Sequence, residues 1–265
     1  MIASNSNTGN QYEEFNIKTF KNSEGPSTMC IGGLAYAPTD FDKYAQEIPG
    51  TVHVVDNPIH NGKIDRPENW QEYLRNKYTM IFEELEADIL VGHSCGSYQG
   101  LDVAEGIDAI DGLVMITPPY ASGSISPNNS RIPDYGILDA LLADLSLDMT
   151  DKQYQQMLEM HLSEYGHDKK LLKSIYKNEI PNNSIESVQA VLSQIRATRF
   201  PILVVLGEID PWNDGTFSLD DLPTHVTAVQ MNNTGHYPQI SKPVDLAGIT
   251  KQWIKSLSTE NAKSQ

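Results

Sequence analysis

The chain has 265 residues, 39% of them hydrophobic, enough to bury one substantial core without disulfides or a metal, and this excludes a disordered or fibrous protein. Against 35 Asp and Glu stand 19 Lys and Arg, a formal charge of −16 at pH 7; such a field repels nucleic acid and anionic lipid and argues against both as partners. The two cysteines, Cys30 and Cys95, each sit in an apolar stretch beside a Gly-containing turn, so no structural disulfide is expected.

The N-terminal stretch lacks the basic start and apolar run of a secretory signal, and no apolar stretch approaches the ~20 residues that a bilayer span needs. The chain therefore reads as a soluble cytoplasmic protein. Residues 1–11 and 258–265 are polar and read as disordered termini.

Between them, short apolar runs predict strands at Met29–Ile31, Val52–Val55, Asp88–Gly92, Leu113–Thr117, Ile202–Leu206 and Val226–Met231. Runs such as ILVG and ILVVLG are continuous rather than alternating, the mark of strands covered on both faces in a parallel sheet. Helical stripes lie between the strands. One joins Trp70, Leu74, Tyr78, Ile81 and Leu85; another joins Tyr98, Leu101, Ala104 and Ile107; a third joins Leu246, Ile249, Trp253 and Leu257 after Pro243. This alternation predicts an α/β fold with a mostly parallel central sheet flanked by helices.

Residues 120–197 break the alternation. Helical faces at Ile137–Leu145 and Tyr154–Tyr165, and a helix from about Asn183 with Glu186 as capping partner, follow one another without a convincing strand. The block reads as a helical lid inserted into a core made of residues 12–119 and 198–257. The competing reading is a set of crossover helices packed on the sheet.

The strongest chemical signal is Gly92-His93-Ser94-Cys95-Gly96, a G-x-S-x-G motif directly after an apolar strand and directly before a helical stripe. A serine there sits on a sharp turn, and small residues two positions either side let strand and helix pass closely. The helix N-terminus behind it favours developing negative charge. A serine hydroxyl needs a base held by a third group. His236 is the candidate base, because it follows the last strand and precedes the C-terminal helix. His93 adjoins Ser94 but reads as a packing residue, and the other histidines have no comparable setting. Asp210, in the loop after Ile202–Leu206, is the candidate acid, since chemistry in open α/β sheets collects at the carboxyl ends of strands. Asp214 and Glu208 are its alternatives. The oxyanion needs two N–H donors; the main chain of Cys95 and of Leu34, after Gly32-Gly33, would supply them.

Gly32-Gly33-Leu34, Gly92-His93-Ser94-Cys95-Gly96, Gly207-Glu208-Ile209-Asp210 and Gly235-His236 together resemble the α/β-hydrolase superfamily, over about residues 12–257. The resemblance implies the α/β-hydrolase fold with about eight strands, a helical lid, and no metal or organic cofactor. The chain departs from it at the oxyanion loop, where Gly32-Gly33 replaces the His-Gly of many relatives, and in a short N-terminus that implies reduced first strands. Serine at the turn fits esterases, lipases, thioesterases and lactonases, and not dehalogenases or epoxide hydrolases, which use aspartate there. The expected activity is cleavage of a small-molecule carboxylic ester or thioester through an acyl-enzyme on Ser94. A peptidase, a carbon–carbon bond hydrolase, and a catalytically slow ligand receptor or interaction protein on the same fold are the alternatives. Tyr120, Met157 and Trp212 are the expected lining of an apolar acyl pocket.

Overall fold

A computed structural model describes residues 13–33, 38–58, 64, 67–119, 147–164, 185–212 and 222–261. Among the described residues, seven strands form one sheet: β1 (Ile17–Lys21), β2 (Ser27–Ile31), β3 (Thr51–Val55), β4 (Ile89–His93), β5 (Gly112–Ile116), β6 (Ile202–Gly207) and β7 (Val226–Met231). Their spatial order is β1-β3-β2-β4-β5-β6-β7. The pairings from β3 through β7 are parallel, with Ile31 beside Val55 and Met29 beside Leu90, while β1 alone is antiparallel, its Ile17 opposite Val55.

The continuous apolar runs lie where both faces are covered: every residue of β4, β5 and β6 is buried. Side-chain alternation divides the core into two clusters, one per face. Met29, Ile31, Leu90, Leu113, Met115 and Val204 face α2 (Trp70–Glu84), α3 (Cys95–Glu105) and α5 (Ile185–Ala197). Cys30, Val54, Val91, Val114 and Val205 face α1 (Asp42–Glu47) and the C-terminal helix α7 (Pro243–Asn261). Each large side chain so covered contributes about 1.5–3 kcal/mol over an exposed one. Cys30 is free and fully buried, and burial pushes its thiol pKa far up, so it is a core residue.

Helix α4 (Asp151–Glu164) buries Tyr154, Met157 and Leu158. The short α6 (Pro238–Ser241) joins β7 to α7, and Gln153 of α4 donates to the Ser241 carbonyl at 3.4 Å. None of the helices among the described residues is long and apolar enough to cross a membrane.

The boundaries differ from the sequence reading at the ends. β4 runs on to His93, and α7 continues through Ser258 to Asn261. β1 and α1 escape prediction. β1 carries Lys18 and Lys21 on an edge strand, where charge guards against further pairing, and α1 has six residues, too few to show a helical period.

Candidate active site

Ser94 stands between the last residue of β4 and the first of α3, with φ 53° and ψ −128°. A left-handed φ is costly for a residue with a Cβ and persists only where the surroundings hold it. Close backbone packing does so here. A Cβ on Gly92 would lie 2.4 Å from the Gly96 carbonyl oxygen, and one on Gly96 would lie 2.4 Å from that of Gly32. Strand, helix and the loop after β2 therefore meet with no room for side chains. The Ser94 N–H donates to the Ile116 carbonyl at 2.9 Å, and the Ser97 hydroxyl donates to the Gly92 carbonyl at 2.9 Å.

The loops after β6 and β7 abut in the same way. A Cβ on Gly207 would lie 2.4 Å from the Thr234 carbonyl oxygen, and the Ile209 N–H donates to that carbonyl at 3.1 Å. This contact brings Asp210 and His236 together: Nδ1 of the imidazole lies 2.8 Å from Oδ2 of the carboxylate. On its other side Nε2 lies 2.9 Å from Oγ of Ser94. A carboxylate accepts only, so Nδ1 carries the proton and Nε2 is left to accept the serine hydroxyl proton. Asp210 is 3% exposed and His236 2%, so water competes weakly for either bond. The other carboxylate oxygen, Oδ1, accepts the Trp212 N–H at 3.0 Å, which fixes the carboxylate plane. The Trp212 indole is buried, its ring centre 5.7 Å from that of His236.

Glu208, an alternative acid, turns instead to the backbone and accepts the Asn233 N–H at 2.7 Å. Asp214, Leu34 and Tyr120 lie outside the described residues. The glycine before Leu34 is described: a Cβ on Gly33 would lie 2.6 Å from Cβ of Ser94 and 3.2 Å from the main-chain nitrogen of Cys95. The loop that leads to Leu34 thus runs against the turn holding Ser94. Cys95 opens α3 and is half-buried.

Met157 is fully buried on α4 and lines a cavity of about 560 Å³ together with Thr39, Gln153 and Gln239. A cavity of about 580 Å³ lies at the opposite end of the sheet, where Asp111, Arg199 and Pro201 precede β5 and β6. Ser94, Asp210 and His236 line neither cavity. Among the described residues, no group of three or more His, Cys, Asp or Glu is placed to hold a metal ion.

Two side chains at the site escape sequence reasoning. His93 packs, as expected, against Phe41 and Tyr237, but its Nε2 also donates to the His236 carbonyl at 2.8 Å. The Thr117 hydroxyl donates to the same carbonyl at 2.9 Å. The available signal was position alone: both residues lie at the carboxyl ends of the strands flanking the serine turn.

No protein-family model matches the chain, and no curated protein matches it. Solved structures do. A serine hydrolase from the polyaromatic-hydrocarbon-degrading bacterium Cycloclasticus zankles superposes with a TM-score of 0.68 at 14% identity, covering 97% of this chain and 98% of that one. A loop variant of a haloalkane dehalogenase from Bradyrhizobium elkanii gives 0.67 at 13% identity, covering 95% and 96%. An N-acyl homoserine lactone degrading enzyme gives 0.64 at 17% identity, covering 91% and 98%. Likeness at such identities speaks to architecture: with its parallel sheet, its serine at the turn after β4 and near-complete coverage of these structures, the chain has the α/β-hydrolase fold.

Proposed function

We propose that the protein is a serine hydrolase that cleaves a small-molecule carboxylic ester or thioester through an acyl-enzyme on Ser94. One observation carries this reading: a single buried imidazole, His236, lies 2.9 Å from the Ser94 hydroxyl and 2.8 Å from the Asp210 carboxylate. That linear arrangement is what nucleophilic activation of a serine requires.

In the proposed reaction Oγ of Ser94 attacks the substrate carbonyl carbon while Nε2 of His236 takes the hydroxyl proton. Asp210 stabilises the imidazolium that forms and stays ionised itself. The negative charge passes to the carbonyl oxygen, where the main-chain N–H groups of Cys95 and Leu34 are the proposed donors. Collapse of the tetrahedral intermediate breaks the bond to the alcohol or thiol, which leaves with the proton from His236. Water then enters, His236 removes a proton from it as its oxygen attacks the acyl carbon, and the bond to Oγ breaks, with Ser94 taking back the proton from His236 as the carboxylic acid leaves.

Residues 120–197 are proposed as a lid over a core of residues 12–119 and 198–257, with Met157 and Trp212 facing the acyl group. The ring contact between Trp212 and His236 supports the assignment of Trp212.

The test is a fluorophosphonate probe followed by p-nitrophenyl esters of graded chain length. The probe is expected to label Ser94, with labelling lost in Ser94→Ala and turnover reduced by about 10⁴-fold or more. Labelling that persists in Ser94→Ala, or maps to Cys95, would overturn the assignment. Tight binding of one ligand without turnover by the wild type would replace the hydrolase with a receptor on the same fold.

A further inference from the structure

We infer that His93 is a positioning residue: together with Thr117 it clamps the main chain of His236 so that the imidazole meets Ser94 and Asp210 at once. The inference rests on the triad reading above and assigns work to a side chain outside it.

His236 lies in the loop between β7 and α6, where no strand ladder or helix holds its main chain. Yet its ring must satisfy two short contacts on opposite edges, and a displacement of about 1 Å costs on the order of 10²-fold in rate. Its carbonyl oxygen is therefore an informative atom. That oxygen accepts from Nε2 of His93 at 2.8 Å and from Oγ1 of Thr117 at 2.9 Å, which occupies both of its lone pairs. The donors belong to the central strands: His93 is the last residue of β4, and Thr117 directly follows β5. Both are buried, at 2% and 0% exposure, so water does not compete for the carbonyl.

Thr117 is itself held in place. Its φ is 41°, an unfavourable value for a β-branched residue, and its N–H donates to the Val205 carbonyl at 2.7 Å. A strained residue that presents its hydroxyl to one carbonyl is consistent with that geometry having a use. His93 is packed among other rings: Phe41, Tyr237 and His236 lie around it, with ring centres at 6.5, 5.2 and 5.2 Å.

Because His93 precedes Ser94 in the chain, one peptide unit links the clamp to the nucleophile. The separation of nucleophile and base is thereby set by a rigid strand end and one hydrogen bond, not by the loop that carries the base. A carbonyl only accepts, so the His93 tautomer has its proton on Nε2. Glutamine can reproduce this donor, since its Nε2 lies the same number of bonds from Cα. Phenylalanine fills the ring volume without donating.

The test measures kcat and KM on one p-nitrophenyl ester, with labelling rate and thermal midpoint, for His93→Phe, His93→Gln, Thr117→Val and the His93→Phe/Thr117→Val pair. His93→Phe is expected to lower kcat by about 10- to 100-fold with KM nearly unchanged. His93→Gln is expected to recover most of that loss. Each single variant leaves the carbonyl one donor and the pair leaves none, so the pair is expected to lose more than the product of the single losses. Folded His93→Phe and Thr117→Val with wild-type kcat would overturn the clamp and leave the hydrolase reading standing. A loss in His93→Phe that glutamine does not recover would also overturn it, since packing alone would explain the defect. If His93→Phe does not fold, Thr117→Val decides by the same kcat criterion. A wild type that fluorophosphonate does not label at Ser94 would remove the hydrolase reading, and the clamp with it.

Discussion

Three carboxylates compete by sequence for the role of acid, and hydrogen-bond geometry separates two of them. Asp210 offers Oδ2 to His236 and Oδ1 to the Trp212 N–H, so neither oxygen can turn away without leaving a buried partner unmet. Glu208 is held by the Asn233 N–H on an exposed loop. Replacing Asp210 by Asn puts an amide where Nδ1–H needs an acceptor and favours the wrong tautomer, for which turnover is expected to fall about 10⁴-fold with the fold intact. Glu208→Gln and Asp214→Asn are expected to stay near wild type; steady-state rates on one chromogenic ester give the ranking, and a severe loss in Asp214→Asn would move the acid there. The glycines of the serine turn make an equally local prediction. Gly96→Ala directs a methyl to within 2.4 Å of the Gly32 carbonyl oxygen, a backbone atom that no rotamer change can move aside. That variant is expected to lose fluorophosphonate labelling along with thermal stability. Cys95→Ala, by contrast, keeps the main-chain N–H and is expected to retain most activity.

At the scale of elements, strands were more legible than the loops between them. β4, β5 and β6 announce themselves because a strand covered on both faces needs an unbroken apolar run, and DILVG, LVMIT and ILVVL are such runs. β7 was found too, although it is an edge strand, because Val226–Met231 is rich in β-branched residues. β1 was missed because its pattern includes two lysines. The serine turn was legible because its chemistry and its backbone geometry depend on the same five residues. The clamp on the His236 carbonyl was not, because a carbonyl has no sequence signature and its donors come from positions 143 and 119 residues away. Within the proposed lid the two described helices differ. α5 joins the sheet core through Leu192 and Ile195, and its Gln194 donates to Asp102 and Glu105 of α3. α4 meets α6 and lines the cavity beside Met157. Substrate preference is therefore expected to respond to α4. Truncating the buried Met157 to Ala would confound the result with a core loss of about 2–5 kcal/mol, whereas Met157→Leu conserves volume and costs less than about 1.5 kcal/mol. Met157→Leu is expected to shift the optimum along the ester series with little change in thermal midpoint; an unchanged profile would count against α4 as a pocket wall.

For the molecule as a whole, charge and pH enter together. Acid weakens a fold wherever the unfolded chain binds protons more readily, and His53 is such a site. Burial, and then the nearby Lys21 charge, hold its pKa below the ordinary value while Thr19 bonds its Nδ1 at 3.0 Å. Its contribution is present above the unfolded pKa of about 6.5 and is lost as pH falls below that value toward the lower folded pKa. Thermal midpoints measured from about pH 7.5 to pH 5 are expected to fall more steeply for the wild type than for His53→Gln, which lacks the titration. Chain connectivity adds a consequence of its own. The serine hydroxyl and its proton acceptor are 142 residues apart, and the acceptor and its carboxylate are 26 apart, so the three meet only when β4, β6 and β7 occupy one sheet. No contiguous fragment short of Ser94 through His236 carries the set. The fluorophosphonate labelling expected of the proposed hydrolase would thus be a readout of long-range assembly: in a urea titration it is expected to vanish along the same transition as the far-ultraviolet dichroism of the sheet. Retention of labelling past that midpoint would mean that a smaller native-like nucleus, built around the serine turn, survives after the rest has melted.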